Sequence, residues 1–270
     1  MDERLARGGG TAEFNGTMRS ESTIRDAALD SDYSLESLPL EALEAMAEAG
    51  AEVVEIHRVL AKTGDNIVGE LLKNNGTFYE WDHYPPGDVY DHETHGQYYY
   101  HAHTADQRFD GEHGHFHTFV RPKGMPVGVR PAKVNGFVPP EDPNDALSHL
   151  VAVSMTPGGV PFRLFTVNRW VTGEVWYRAE DVIRLLDVFK IDHAQPSWPV
   201  NRWISAMIVL FKPQIADLLL ARDGKVTAWQ DQAPDSDVFE DRDLEVTSVL
   251  DISVDRQVRS VARALLARQG

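Results

Sequence analysis

The sequence predicts an α+β fold: a central antiparallel sheet, open or closed into a barrel-like form, flanked by N- and C-terminal helices. Three observations carry this expectation. Apolar residues recur at helical spacing before residue 73 and again after residue 179, β-prone runs fill the middle, and Pro157-Gly158-Gly159 separates two of those runs as a hairpin turn would.

Residues 1–37 are rich in Gly, Ser, Thr, Asp and Glu and read as a mobile tail, leaving residues 38–270 as a single α+β domain. A helix is expected from about Pro39, with Leu43, Met46, Gly50, Val53, His57 and Leu60 on one seam. Gly64-Asp65-Asn66 ends it, and Ile67 to Lys73 forms a further short helix. From Thr77 to Val120 strands are expected, with a turn at Pro85-Pro86-Gly87. Residues 121–147 form a long excursion rich in Pro, Gly and Val, followed by the hairpin. Residues 179–191 have an acidic first turn and a stripe of Val182, Leu185, Leu186 and Phe189. The next helix starts around Pro199 and is kinked or divided at Pro213. Asp223-Gly224 reads as a turn into KVTAW, LEVTSVLDISV as a last strand, and residues 255–268 as a closing amphipathic helix on Val258, Val261, Ala262 and Leu265.

Composition narrows the function. The formal charge of −16 opposes nucleic-acid binding, which needs clustered Lys and Arg. No run of eighteen apolar residues is present, so no membrane span is expected, and the N-terminus lacks the apolar stretch of a secretory signal. With no cysteine, disulfides, thiolate nucleophiles and thiolate-bound metals are excluded, which fits a cytoplasmic protein.

Eight of the eleven histidines fall between His83 and His117, and the densest stretch is the hairpin at 97–120, QYYYHAHTADQRFDGEHGHFHTFV. Side chains two apart on a strand share a face. His101 and His103, joined by Tyr99, therefore form one set, and His113, His115 and His117 another. An antiparallel pairing with an even residue sum puts His103 opposite His113, His101 opposite His115 and Tyr99 opposite His117, all on one surface. A tight two-residue turn at Asp110-Gly111 would give an odd sum and separate the sets. The stretch TADQRFDG is long enough for a wide loop, so the even register is expected.

Neutral imidazoles crowded on one face suit a divalent transition metal such as Zn or Fe. His101, His103, His113, His115 and His117 are the candidate ligands. Glu112 is a candidate carboxylate ligand or catalytic group, and Tyr99 a candidate proton donor. His83 and His95 come from the polar loop just before. Arg169 and Arg202, each in a VNRW string, could clamp an anionic substrate. His57 reads as a core residue; His149, heading a strand with Val151, Val153 and Met155, reads as core packing with the alternative that it points into the same cavity. The pattern is not the cupin spacing, and there is no H-E-x-x-H, P-loop or G-x-S-x-G motif.

The strings DVYDHETHGQYYYHAH and GEHGHFHTFVRP, followed by HLVAVSM, RLFTVNRWVTGE and PSWPVNRW, resemble an uncharacterised bacterial family known as a domain of unknown function. The resemblance spans roughly residues 55–222 and implies no activity. The residues themselves lead to a His-ligated metal-dependent enzyme, hydrolytic or oxidative, acting on a small molecule. The alternatives are a non-catalytic metal-binding or sensing protein and a metal-free module whose histidines bind an anion.

Overall fold

The computed structural model describes residues 35–134 and 136–269. Most of the expected tail, residues 1–34, lies outside the described residues. Helix α1 (Leu40–Ala61) starts directly after Pro39 and buries Leu43, Met46, Gly50, Val53 and Leu60, the expected seam. Asn66 caps α2 (Ile67–Leu72), its side chain accepting the Gly69 N–H.

Six strands follow, β1 (Tyr84–Tyr90), β2 (Gly96–His101), β3 (Gly114–Val120), β4 (Ser148–Met155), β5 (Pro161–Val167) and β6 (Val246–Asp251). They pair antiparallel in the order β1-β2-β3-β4-β5-β6, so the sheet is an open meander and is not closed into a barrel. Pro85-Pro86-Gly87 lies inside β1 and does not form the expected turn between elements. The strand is at the sheet edge and its register with β2 breaks between Tyr84 and Val89, which is where proline is tolerated.

Helices α3 (Arg169–Thr172) and α4 (Ala179–Leu185) follow β5, and α4 stops six residues short of the expected 191. Ser197 caps α5 (Trp198–Leu210), with Pro199 in the first turn. The break before Pro213 separates α5 from α6 (Lys212–Gln232), and the two are bent by 72°. Among the described residues no single helix is long and apolar enough to cross a membrane. Helix α7 (Val254–Gln269) closes the chain and buries Val261 and Ala264, while Ala262, expected on the same stripe, is exposed.

The expected turn at Asp223-Gly224 is overturned: both residues, and KVTAW after them, belong to α6. Tertiary bonds override the local preference. The Asp223 carboxylate accepts the Ala179 N–H at 2.7 Å, which ties off the start of α4, and also accepts from Arg222. Arg222 in turn donates to the Tyr177 carbonyl at 2.6 Å.

The sheet has two buried faces. Tyr98, Tyr100, Phe116, Val153, Leu164 and Leu250 alternate onto the face that meets the helices. Phe116 packs against Trp203 of α5, and Tyr98 donates to Asn201. The opposite face carries Tyr99, His101, His115, His117 and Phe119 beside Ala152 and Phe165. Phe109, from the loop between β2 and β3, packs onto it in a small apolar cluster with Ala152, Phe165, Val167, Val246 and Val249.

Candidate metal centre

β2 and β3 pair His101 with His115 and Tyr99 with His117, the even register expected from the width of the intervening loop. That loop includes a 3-10 turn at Ala105–Gln107 and a left-handed Gly111. Gly114 starts β3 where a Cβ would lie 2.4 Å from the His101 carbonyl, so only glycine lets the two strands approach there.

His101, His103 and His115 each direct a ring nitrogen to a common region, all within 4.8 Å of one another, and all three are buried. The Nε2 atoms of His101 and His115 are 2.8 Å apart. A tetrahedral zinc held at about 2.0–2.1 Å spaces its ligand nitrogens about 3.3 Å apart. That spacing lies between the closest pair and the outer limit of this group, so the three imidazoles can hold a transition metal.

Glu112 stands behind His115, its Oε1 3.0 Å from Nδ1, while Oε2 accepts the Phe109 N–H at 3.2 Å. A carboxylate only accepts, so the His115 proton sits on Nδ1 and the Nε2 lone pair faces His101. A carboxylate behind a ligating imidazole fixes ring and tautomer in this way in metal sites generally. Glu112 is thus placed to orient His115 and stands outside the three-imidazole group. With that proton on His115 Nδ1, His101 donates its Nε2–H to His115; for His101 to hold a metal through Nε2, the proton would move to its Nδ1.

His117 lies alongside, its ring centroid 4.9 Å from that of His115 and 5.3 Å from that of His101. Its Nδ1 is 3.0 Å from Nε2 of His149, and its buried Nε2 has no partner among the described residues. Burial, reinforced by the neighbouring histidines His115, His149, His101 and His103, holds His117 well below the ordinary imidazole range. Burial and then Arg222 press His149 down to about 3. Both rings are therefore neutral.

His149 belongs to this face because of a bulge, the alternative to the core packing that its place in the strand favours. His117 pairs with Ala152 but Phe119 pairs with His149, so Leu150 and Val151 together oppose Thr118. The extra residue turns His149 from the helical face to the histidine face. Thr118 stabilises the irregularity, its hydroxyl donating to the Val151 carbonyl at 2.7 Å and accepting the Val151 N–H at 3.4 Å. Nothing in the spacing of residues 149–155 announces this; the one signal is a threonine at full burial between aromatic residues.

Behind His149, Glu174 accepts its backbone N–H at 2.6 Å and is fully buried. Burial raises the Glu174 carboxyl to about 8, although Arg222 and Arg169 pull against it. Nothing in the sequence singles out this residue, and its GEVW context carries no chemical motif.

The remaining candidates divide. His113 does not join the other four: it precedes β3 and turns to the opposite face, its Nδ1 2.6 Å from the Tyr100 hydroxyl and its ring against Phe78. Strand parity applies only inside the ladder, and His113 is outside it. His103 also lies beyond its strand, yet it is held at the site by Trp81, which stacks on it at 4.3 Å, and by Arg108, which donates to its carbonyl. Tyr99 forms a wall, stacked between His83 at 3.7 Å and Phe119 at 5.6 Å. Burial raises its phenol above the ordinary range, with Asp88 and Glu174 adding to the shift.

His83 touches the site edge-on, 5.7 Å from His101, whereas His95 sits at the far end of β2 and bonds to Tyr90. Arg202 pairs with Glu52 on the helical side of the sheet. Arg169 pairs with Glu240 and lies over Phe137. Neither arginine is brought to the three imidazoles.

Fold and site together define an α+β protein with a six-stranded antiparallel meander and a buried histidine cluster able to hold a metal. The chain belongs to the family described as a domain of unknown function (DUF6969), whose model matches residues 47–252. No curated protein and no solved structure matches it.

Proposed function

We propose that this chain is a transition-metal-dependent enzyme whose ion is held by His101, His103 and His115. Zinc and hydrolysis are the best match; iron or copper in the same place would bring oxidative chemistry. The observation that carries this reading is the buried three-imidazole group with Glu112 orienting His115. Three protein ligands leave one position of a tetrahedral ion for water, and zinc lowers the pKa of that water to about 7.

The chain's own residues have distinct parts in this reading. Glu112 keeps the His115 lone pair directed at the ion. When His149 accepts the Nδ1–H of His117, the buried Nε2 of His117 is left with a lone pair that would accept a hydrogen bond at the site. Tyr99 and Phe119 close the apolar side. The acidic charge and the absence of clustered cations favour a small-molecule substrate over nucleic acid, and the cysteine-free composition is compatible with a cytoplasmic setting.

The test is elemental analysis of protein purified without a histidine tag, followed by cobalt substitution. About one transition-metal ion per chain is expected, with cobalt absorption that changes when a small anion such as azide is added, since an open position exchanges its ligand. A cobalt spectrum indifferent to azide would identify a closed, non-catalytic metal centre. Absence of stoichiometric metal, with His101→Ala and His115→Ala leaving stability unaltered, would overturn the metal reading altogether.

A further inference from the structure

A groove of about 590 Å³ runs along the segment between α2 and β1, lined by Asn75, Thr77, Tyr79, Asp82 and His83 among others. The groove and the histidine cluster share one neighbour. One ring, His83, spans the distance: it is exposed on the groove side, stacks on Tyr99 within 8° of parallel, and meets His101 edge-on. Asp88 holds its orientation, 2.9 Å from Nδ1, and is itself held by Gln97.

Two aromatic side chains stand exposed on the same segment, Tyr79 at 62% and Trp81 at 48%. Trp81 has φ at 71°, a conformation that bulky residues rarely adopt, and its N–H is tied to the Ala102 carbonyl at 2.8 Å. The result is an indole with one face on His103 and the other side in solvent.

The charge of the groove is one-sided. No Lys or Arg lines it. Arg108, the nearby cation, is occupied by Glu80 and the His103 carbonyl. Asp82 is exposed, and among the described residues no cation pairs with it. A carboxylate in a groove that an aromatic side chain also lines attracts an ammonium group through charge and through the ring quadrupole, and a chain of net charge −16 draws cations and repels anions.

We propose that this groove binds a small organic cation, an amine whose ammonium meets Asp82 and whose body lies against Tyr79, and that it delivers this substrate past His83 to the metal centre. The delivery step rests on the metal-enzyme reading; the binding step does not.

Calorimetric titration of the full chain with benzylamine, benzyl alcohol and benzoate at neutral pH separates charge from shape, because the three share one ring. Benzylamine is expected to bind about tenfold tighter than benzyl alcohol, and benzoate more weakly still. Asp82→Asn should bring benzylamine within about twofold of the alcohol, and Tyr79→Ala should weaken all three. Both positions are exposed, and far-UV circular dichroism verifies that the variants fold. Equal affinity for amine and alcohol, tighter binding of benzoate, or an amine preference that survives Asp82→Asn would each overturn the proposal.

Metal content measured on the same preparation keeps the two readings apart. Metal-free protein that still prefers benzylamine would leave the groove standing without the enzyme; metal-loaded protein with no amine preference would do the reverse.

Discussion

On one face of the sheet Tyr98, Tyr100, Phe116, Val153 and Leu164 press against Trp203 and its helical neighbours. On the other, His101, His115, His117 and His149 are just as buried but meet chiefly one another. Alternation along β2 and β3 assigns adjacent residues to these two environments. The helical face gains dispersion and apolar burial, with the phenols of Tyr98 and Tyr100 kept neutral by burial. The histidine face removes imidazoles from water and returns hydrogen bonds that depend on tautomer and charge. Stability and chemistry are thus segregated across one sheet, and the core on the helical side offsets the cost of the polar one.

The strongest test of that segregation pairs one substitution on each face. Phe116→Ala opens a cavity beside Tyr100 and Trp203 and is expected to cost about 3–5 kcal/mol in denaturant unfolding, with or without metal. His115→Ala should cost far less in metal-free protein. It should also abolish the stabilisation that metal confers, about 2.7 kcal/mol at a concentration a hundred times Kd. If His115→Ala destabilised the metal-free protein as much as Phe116→Ala, the histidine face would be a second structural core.

A second test uses pH. The Glu174 carboxyl is raised to about 8 in the folded protein from an ordinary value of 4.5. Between those values the folded state keeps a proton that the unfolded state has lost, so stability falls as pH rises. Glu174→Gln keeps an acceptor for the His149 N–H but removes the titration. The variant should therefore gain on the native protein by about 2–3 kcal/mol between pH 5 and pH 7, read from denaturant midpoints.

His149 acts in the opposite sense. Its folded pKa of about 3 lies below the ordinary 6.5, so its contribution is full above 6.5 and is lost as pH falls toward 3. Between about 4.5 and 6.5 Glu174 opposes His149, but His117, held down by burial in the same way, adds to His149, so the native profile still rises with pH there. A variant profile parallel to the native one across this range would show that Glu174 is ionised in the folded protein.

The bulge supplies a third test. Thr118 gives and accepts one hydrogen bond with Val151. Thr118→Val keeps the shape and strands both groups, which is expected to cost about 1–3 kcal/mol. Because the bulge turns His149 toward His117, the variant should also shift the imidazole resonances of His117 and His149 in NMR spectra, whereas those of His113 across the sheet stay in place. Unmoved resonances would mean that the bulge holds without the threonine.

How far the site could be read beforehand follows from the same details. The pairing of His101 with His115 was legible because side-chain alternation and loop width are both local properties. His113 was not, since one residue outside the ladder is free of its parity. His149 was not, since a single inserted residue reverses the face of everything before it. Glu174 was invisible because its role comes from the burial that the fold imposes. On the helical side the periodic stripes of α1 and α7 were readable, and what failed were positions where a long-range bond overrules a local preference. Asp223-Gly224 is the clearest such position.

That position yields the smallest and cleanest prediction. Gly224 lies in the interior of α6, and a Cβ built there meets nothing within 4 Å. Glycine costs a helix interior about 0.8–1.0 kcal/mol relative to alanine, through backbone entropy. Gly224→Ala should therefore raise stability by about that amount, measured by denaturant midpoint at unchanged slope. Metal content and benzylamine affinity should stay constant, because α6 lies on the helical side of the sheet. A loss of stability would mean that Asp223-Gly224 does break the helix in solution, and that the bond from Ala179 to Asp223 is too weak to hold α6 continuous against the turn its sequence favours.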